Sequence, residues 1–498
     1  MKLRRVIVPI ALIVVVGGLL VGPSTRARAV VKPLLVNGGV AVPAGLATPT
    51  YGLFGCQVGL SSHVCYDPYQ MRTAYGLDGL IANGFDGRYK TIVIVDAFQS
   101  PNIAAQLNYY NTFYGLPGLN GTGNPYDPAL GTFTQAAPDG LTPFNQNDPN
   151  MLGWAEEISL DVIWAHAIAP GANITLVLAK SNNDDDILSA TRYAVEQHVG
   201  DVISQSFGED ESCMDPGLLE QQHQVFAEAT LRHITLFASS GDEGAAQPSC
   251  DGSTYNRAAS SPASDPLVTA VGGTELHAAG YCLTQLGCDP SANPAPGTWQ
   301  GEIAWNEFNS IASGGGFSVL YDEPPYQQDT IHPGKQLGVP DVAYSAAVYH
   351  GVLTYLDIPG IPVGMYLFGG TSAGSPQWAA ITAIADQRAH TDLGFINSSI
   401  YKIGQAQQQY AASLHDITIG NNSVVEQDEN NNDVAIQGFE AAPGWDPTTG
   451  LGSPAGAPLV DYLIQFNSPG DATSAVATTT PHPSGGHRGP NAMRPHAR

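Results

Sequence analysis

The chain has 498 residues, of which only 13% are charged, and 19 Lys and Arg against 45 Asp and Glu leave a formal net charge of -26. So acidic a chain is a poor partner for nucleic acid, whose phosphates call for a basic face, while its length suits one large α/β domain with embellishments or two to three average ones. The acidic, lysine-poor composition also suits an acidic medium, where carboxylates lose charge and self-repulsion.

Lys2, Arg4 and Arg5 precede an apolar run over residues 6–22 and the small-residue pattern Ala27-Arg28-Ala29. The pattern predicts either a cleavable signal peptide over residues 1–29 or an uncleaved membrane anchor there, and both readings place the protein outside the cell. Cys56, Cys65, Cys213, Cys250, Cys282 and Cys288 are then expected in disulfides. Six cysteines allow about 15 pairings; short spacings favour Cys56 with Cys65 and Cys282 with Cys288, leaving Cys213 with Cys250, but spacing alone does not fix them. Residues 30–64, rich in Gly, Pro, Ala and Val without periodicity, read as a short extended leader and not as a domain.

Residues 65–465 read as one enzyme-sized domain. Strands are predicted over residues 91–96, 174–179, 201–207, 234–239 and 267–272, alternating with helices over 102–114, 154–168, 187–198 and 217–233. That alternation predicts an α/β fold, a mostly parallel twisted sheet with helices on both faces. Asp184, Asp185 and Asp186 are read as acids favouring a helix N-terminus and not as a metal site. Residues 280–340 read as surface loops with short strands. Residues 466–498, rich in Pro, Gly, Ser, Thr and His, are expected to form a disordered tail.

In an open parallel sheet, ligands bind at the carboxyl ends of strands. Asp96, Ser206-Phe207-Gly208, Ser240-Gly241-Asp242 and the turn after an apolar strand at residues 363–368 are the polar ends expected to converge there. That last turn, Gly370-Thr371-Ser372-Ala373-Gly374-Ser375-Pro376, leads into a small-residue helix. It would present Ser372 at a positive helix end, where a nucleophile and an oxyanion donor are both useful. A serine needs a base, and no histidine stands in a suitable motif; His166 reads as a core or helix-terminal residue. Glu157 and Asp161, four apart on one apolar helix, are the better candidates, because two poorly solvated carboxyls share a proton and raise a pKa.

The Gly370–Pro376 string, the Glu157–Asp161 helix and Ser240-Gly241-Asp242, in this order of acids before serine, resemble the active-site motifs of the sedolisin family, the serine-carboxyl peptidases. The residues Pro262-Ala263-Ser264-Asp265-Pro266 and Gly338-Val339-Pro340-Asp341 add to the resemblance. It implies a subtilisin-like fold in which Ser372 attacks the scissile carbonyl, Glu157 takes its proton, Asp161 tunes Glu157, and a protonated Asp242 donates to the oxyanion. It also implies one structural calcium ion, held by the carboxylates of Asp416 and Asp446 and the carbonyls of Ile417, Ala442 and Gly444, with Ala442 departing from the family's usual glycine. The expectation is a secreted, monomeric endopeptidase acting on polypeptides in acid. The alternative is a catalytically silent secreted or surface binding protein on the same fold, motivated by the segment before Tyr66, which is too short for the folded prodomain usual in the family.

Overall fold

The structure, a computed structural model, describes residues 31–48, 51–330 and 335–482. The predicted signal or anchor and the last part of the tail lie outside the described residues. Among the described residues no helix is long and apolar enough to cross a membrane.

The run Thr-Ile-Val-Ile-Val-Asp-Ala folds as the strand Thr91–Ala97 near the middle of an eight-stranded sheet. Ile92 and Ile94 enter one core and Val93 and Val95 the other, as period-2 geometry requires of a strand covered on both faces. Outward on one side lie Asn173–Ala179 and Phe133–Ala136; on the other lie Val202–Gln205, Thr235–Ser239 and Thr269–Ala278. All these neighbours are parallel. Thr269–Ala278 also pairs in parallel with Val342–Ser345 and antiparallel with Trp299–Ala304, which closes that edge. The helices Pro149–Ile168 and Ser375–Ala389 pack together in one core, while Asp184–Glu196 and Pro216–Leu231 cover the opposite face.

The strand leading to Ser372 differs from expectation. Gly364–Gly369 does not join the parallel sheet; it is antiparallel to His350–Leu356 and to Val36–Val40 in a separate four-stranded sheet. The Ser372 turn thus approaches the ends of the main strands from a second layer. Residues 32–40 are laid into the fold as strands, with Lys32–Pro33 pairing to Phe207–Asp210 and Val36–Val40 extending the second sheet. Leu53 and Phe54 are buried in the core.

The expected disorder from residue 466 is corrected by the helix Pro469–Thr478. Ala472 and Ala475, one helical turn apart, pack against Pro216–Leu231, and Lys402 pairs with Asp471. A small-residue stripe hidden in a polar composition carries that helix. The three disulfides are Cys56–Cys65, Cys213–Cys250 and Cys282–Cys288, the pairing that short spacing favoured.

Candidate active site

The helix Pro149–Ile168 begins with Asp148 accepting from the Asn150 N–H at 3.0 Å and Pro149 in the first turn, five residues before the predicted start. Its middle is buried all round, so Glu157 and Asp161 project from one helix into a dry interior beside the Ser372 turn. Burial first, then the charges of Asp161 and Asp96, push the Glu157 carboxyl well above the usual range, with the Ser372 hydroxyl opposing. Burial raises Asp161 to about 7 against the pull of Ser206 and Glu157. Asp96, at the end of its strand, is held well above the usual range by burial and then by Asp161. The three are therefore one carboxyl cluster. Ser206 and Ser372 stand close enough to pull on its titration, while no oxygen of the three carboxyls closes a hydrogen bond within 3.5 Å.

Ser372 lies in the short turn Thr371–Ala373 just before the helix Ser375–Ala389 and is fully buried. Its Oγ donates to the Ser206 carbonyl at 3.3 Å, and its N–H donates to the Leu34 carbonyl at 3.0 Å. Gly370 makes this approach possible. Its φ is +97°, and a Cβ there would fall 2.5 Å from Asp242 Oδ2 and 2.7 Å from the Leu34 oxygen.

Asp242 Oδ1 accepts from the Thr371 N–H at 2.8 Å and the Thr371 hydroxyl at 2.7 Å, while Oδ2 has no partner. Burial raises its pKa to about 7, opposed by the Thr371 bonds and Lys32. A carboxyl so placed holds its proton in mild acid and has a free oxygen beside the point where the Ser372 N–H already binds a carbonyl.

The fold thus brings Glu157, Asp161, Asp242 and Ser372 together. His166 is not among them: its Nε2 is bonded to the Pro117 carbonyl at 2.8 Å, and burial lowers it to about 4. Sequence reasoning did not place Asp96 with the carboxyl pair, nor Thr371 as the residue holding Asp242. A lone acid ending an apolar strand was the available signal for Asp96; for Thr371 there was only adjacency.

The five predicted metal ligands fall on two neighbouring loops. The Gly444 N–H donates to Asp416 Oδ1 at 3.1 Å, and the Ala442 N–H donates to Asp446 Oδ2 at 3.1 Å. Asp446 and Ile417 are buried, Asp416 is exposed, and Gly444 turns with φ +82°. Carboxylates are the hard oxygen donors that calcium prefers, and here both accept from backbone N–H groups at residues 442 and 444. Elsewhere, ligand atoms of Glu275, His277 and His350 lie within 4.8 Å of one another, a cluster unforeseen from sequence.

A parallel α/β sheet thus carries, beside one buried serine turn, the buried carboxyls of Glu157, Asp161 and Asp242. No family model matches the chain. Kumamolisin from Bacillus sp. (strain MN-32) is 31% identical over 336 residues, covering 66% of this chain and 53% of that protein. Sedolisin from Pseudomonas sp. (strain 101) is 31% identical over 295 residues, 57% of this chain and 44% of its own length. Tripeptidyl-peptidase 1 from Rattus norvegicus is 29% identical over 335 residues, 62% of this chain and 52% of its own. The chain spans about half the length of the curated relatives it matches. A solved structure of Pseudomonas sedolisin, a serine-carboxyl proteinase complexed with two molecules of pseudo-iodotyrostatin, aligns with a TM-score of 0.63 at 25% identity, covering 82% of this chain and 100% of that one. The chain belongs to the sedolisin family.

Proposed function

We propose that this chain is an exported, acid-active, monomeric endopeptidase that hydrolyses polypeptides through an acyl-enzyme on Ser372. The observation that carries the reading is the Ser372 N–H bound to a backbone carbonyl beside the unpartnered oxygen of Asp242, with the Glu157 and Asp161 carboxyls behind the serine. In this mechanism the Ser372 hydroxyl swings from the Ser206 carbonyl to Glu157 and adds to the scissile carbonyl as Glu157 takes its proton. Asp161 shares that proton, which lets a buried carboxyl act as base below neutral pH. The developing oxyanion receives hydrogen bonds from the Ser372 N–H and protonated Asp242. Glu157 then protonates the leaving amine, and water reverses the sequence.

Endopeptidase action, in preference to the removal of short terminal peptides, is supported by the passage of backbone across both sides of Ser372: residues 32–33 on one side and 36–40 on the other. Three disulfides support export to an oxidising compartment. We further assign calcium to the carboxylates of Asp416 and Asp446 with the carbonyls of Ile417, Ala442 and Gly444; when bound, it neutralises two acids and ties their loops together.

Digestion of a denatured protein mixture from pH 2 to 8, with sequencing of the products, tests the reading. Internal cuts are expected in acid. Ser372→Ala and Glu157→Gln should each lower kcat/KM by at least about 10⁴-fold while the circular dichroism spectrum stays native. A folded wild type without turnover at any pH would leave the binding-protein alternative standing.

A further inference from the structure

The cluster of Glu275, His277 and His350 sits where a strand of the main sheet meets the start of a strand of the second sheet. From Thr274 onward the strand Thr269–Ala278 alternates: Thr274, Leu276 and Ala278 are buried, while Glu275 and His277 share the outward face. A register shift against Trp299–Ala304 falls between His277 and Ala278. His350 opens the strand His350–Leu356, and the residues before it are tied down one by one. The Thr274 carbonyl accepts the Ala346 N–H at 2.8 Å and the Ala347 N–H at 3.2 Å. Glu307 then accepts the Val348 N–H at 2.9 Å and the Tyr349 N–H at 2.8 Å. Fixed backbone therefore delivers all three side chains to one point.

Glu275 Oε1 lies 3.0 Å from His350 Nδ1 and 3.2 Å from His277 Nε2, and the three ligand atoms all lie within 4.8 Å of one another. Bonds of about 2.0–2.1 Å to a tetrahedral cation set its ligand atoms about 3.3–3.5 Å apart, close to this spacing. Ion pairing accounts for the arrangement less well. The His350 Nδ1 atom is buried and closes no aligned hydrogen bond despite its approach to Glu275. Protonating both rings would crowd two positive charges, with ring centroids 4.7 Å apart, onto one carboxylate oxygen. Two imidazoles and one carboxylate suit zinc and its borderline neighbours, whereas calcium and magnesium prefer shells of oxygen. The His277 side chain is 45% exposed, against 17% for His350 and 20% for Glu275, so the cluster opens to solvent on one side, where a cation can enter and a water can serve as fourth ligand.

We propose that Glu275 Oε1, His277 Nε2 and His350 Nδ1 bind one zinc-type divalent cation that ties the strand Thr269–Ala278 of the main sheet to the second sheet. Val352 lies opposite Phe368 and Leu356 opposite Gly364, so His350 stands at the end of that strand pair where the chain turns into Gly370 and Ser372. The cation restrains the sheet that carries the Ser372 turn and takes no part in the turn's chemistry. The site shares no residue with the calcium loops and does not depend on the peptidase reading.

The test uses the full chain, without a histidine tag and saturated with calcium, at pH 7.5. Calorimetric titration with zinc should find a bound equivalent with a Kd on the order of micromolar, and cobalt in its place should give the visible absorption of a four-coordinate ion. Zinc should raise the melting temperature by about 3 °C or more and slow amide hydrogen exchange in residues 350–356 and 364–369. His350→Ala, and His277→Ala at the more exposed ligand, should each weaken zinc binding by about 100-fold or more. Absence of zinc binding, or a zinc equivalent that survives both substitutions, overturns the site. Calcium that displaces zinc at equal concentration overturns the choice of cation. Zinc that binds through these residues yet leaves melting and exchange unchanged overturns the tie between the sheets.

Discussion

Asp242 owes its raised pKa to burial first, against the pull of two hydrogen bonds from Thr371, and the balance near about 7 decides when it can act as a donor. The donor form exists below that pH, so activity on peptides should fall as pH rises through about 7. An amide donates at every pH; Asp242→Asn should therefore keep a larger fraction of its pH 5 activity at pH 8 than the wild type does. Equal pH 8 to pH 5 ratios in the two proteins would remove Asp242 from the oxyanion site. The acid limb belongs to the Glu157, Asp161 and Asp96 cluster as a unit, because coupled carboxyls titrate with shared apparent values. Gly370 is the second residue on which the site turns. Gly370→Ala would force a Cβ within 2.5 Å of Asp242 Oδ2 at a φ of +97°, and we expect kcat/KM to drop by about 100-fold or more as the oxyanion donors separate. Steady-state kinetics on the folded variant measures this directly.

At the scale of elements, the two loops carrying Asp416 and Asp446 depend on what lies between two carboxylates. Chelator, Asp416→Ala and Asp446→Ala should each lower the melting temperature by about 3 °C or more, and chelator should do nothing further to either variant. Additive losses would mean that the loops hold no shared ion. The helix Pro469–Thr478 is fastened differently: His223 bridges Asp265 Oδ2 and the Thr479 carbonyl, both at 2.8 Å. Burial works against the charged ring, but the charge and hydrogen bond of Asp265 outweigh it and hold His223 at about 9. Because that value is raised above the ordinary one, the contribution is fully present below about 6.5 and lost as pH climbs through 9. His223→Ala should therefore cost about 3 kcal/mol in urea melts at pH 6 and much less at pH 9.5. The sequence announced neither the helix nor its fastening, since a strap stabilised by one buried pair and an alanine stripe leaves little hydrophobic period. The parallel strands were legible because burial on both faces writes a continuous apolar run. The carboxyl pair was legible through its helical spacing. The leader's path was not, since a segment held by backbone bonds to Ser206 and Ser372 needs no particular side-chain pattern.

Across the whole molecule the buried acids act in concert. Burial is the leading cause that raises Asp161, Glu211, Asp242 and Asp341 to about 7 and Glu209 to about 8. Folded values above the unfolded ones mean that the native chain holds protons the unfolded chain releases. Their contribution is present below about 4 and is lost as pH rises toward 7 or 8. The growing charge, -26 at pH 7, adds self-repulsion in the same direction. The melting temperature should decline steadily from pH 4 to pH 8, and a rise over that range would contradict this account. The ribbon seated on Ser372 has a consequence for measurement. Being covalently attached, it competes at an effective concentration on the order of millimolar, whatever the protein's dilution. A reagent of micromolar affinity for the bare cleft would read as inert while residues 31–40 stay seated, so the rate at which Ser372 becomes titratable should report how often that ribbon lifts and not the reactivity of the serine.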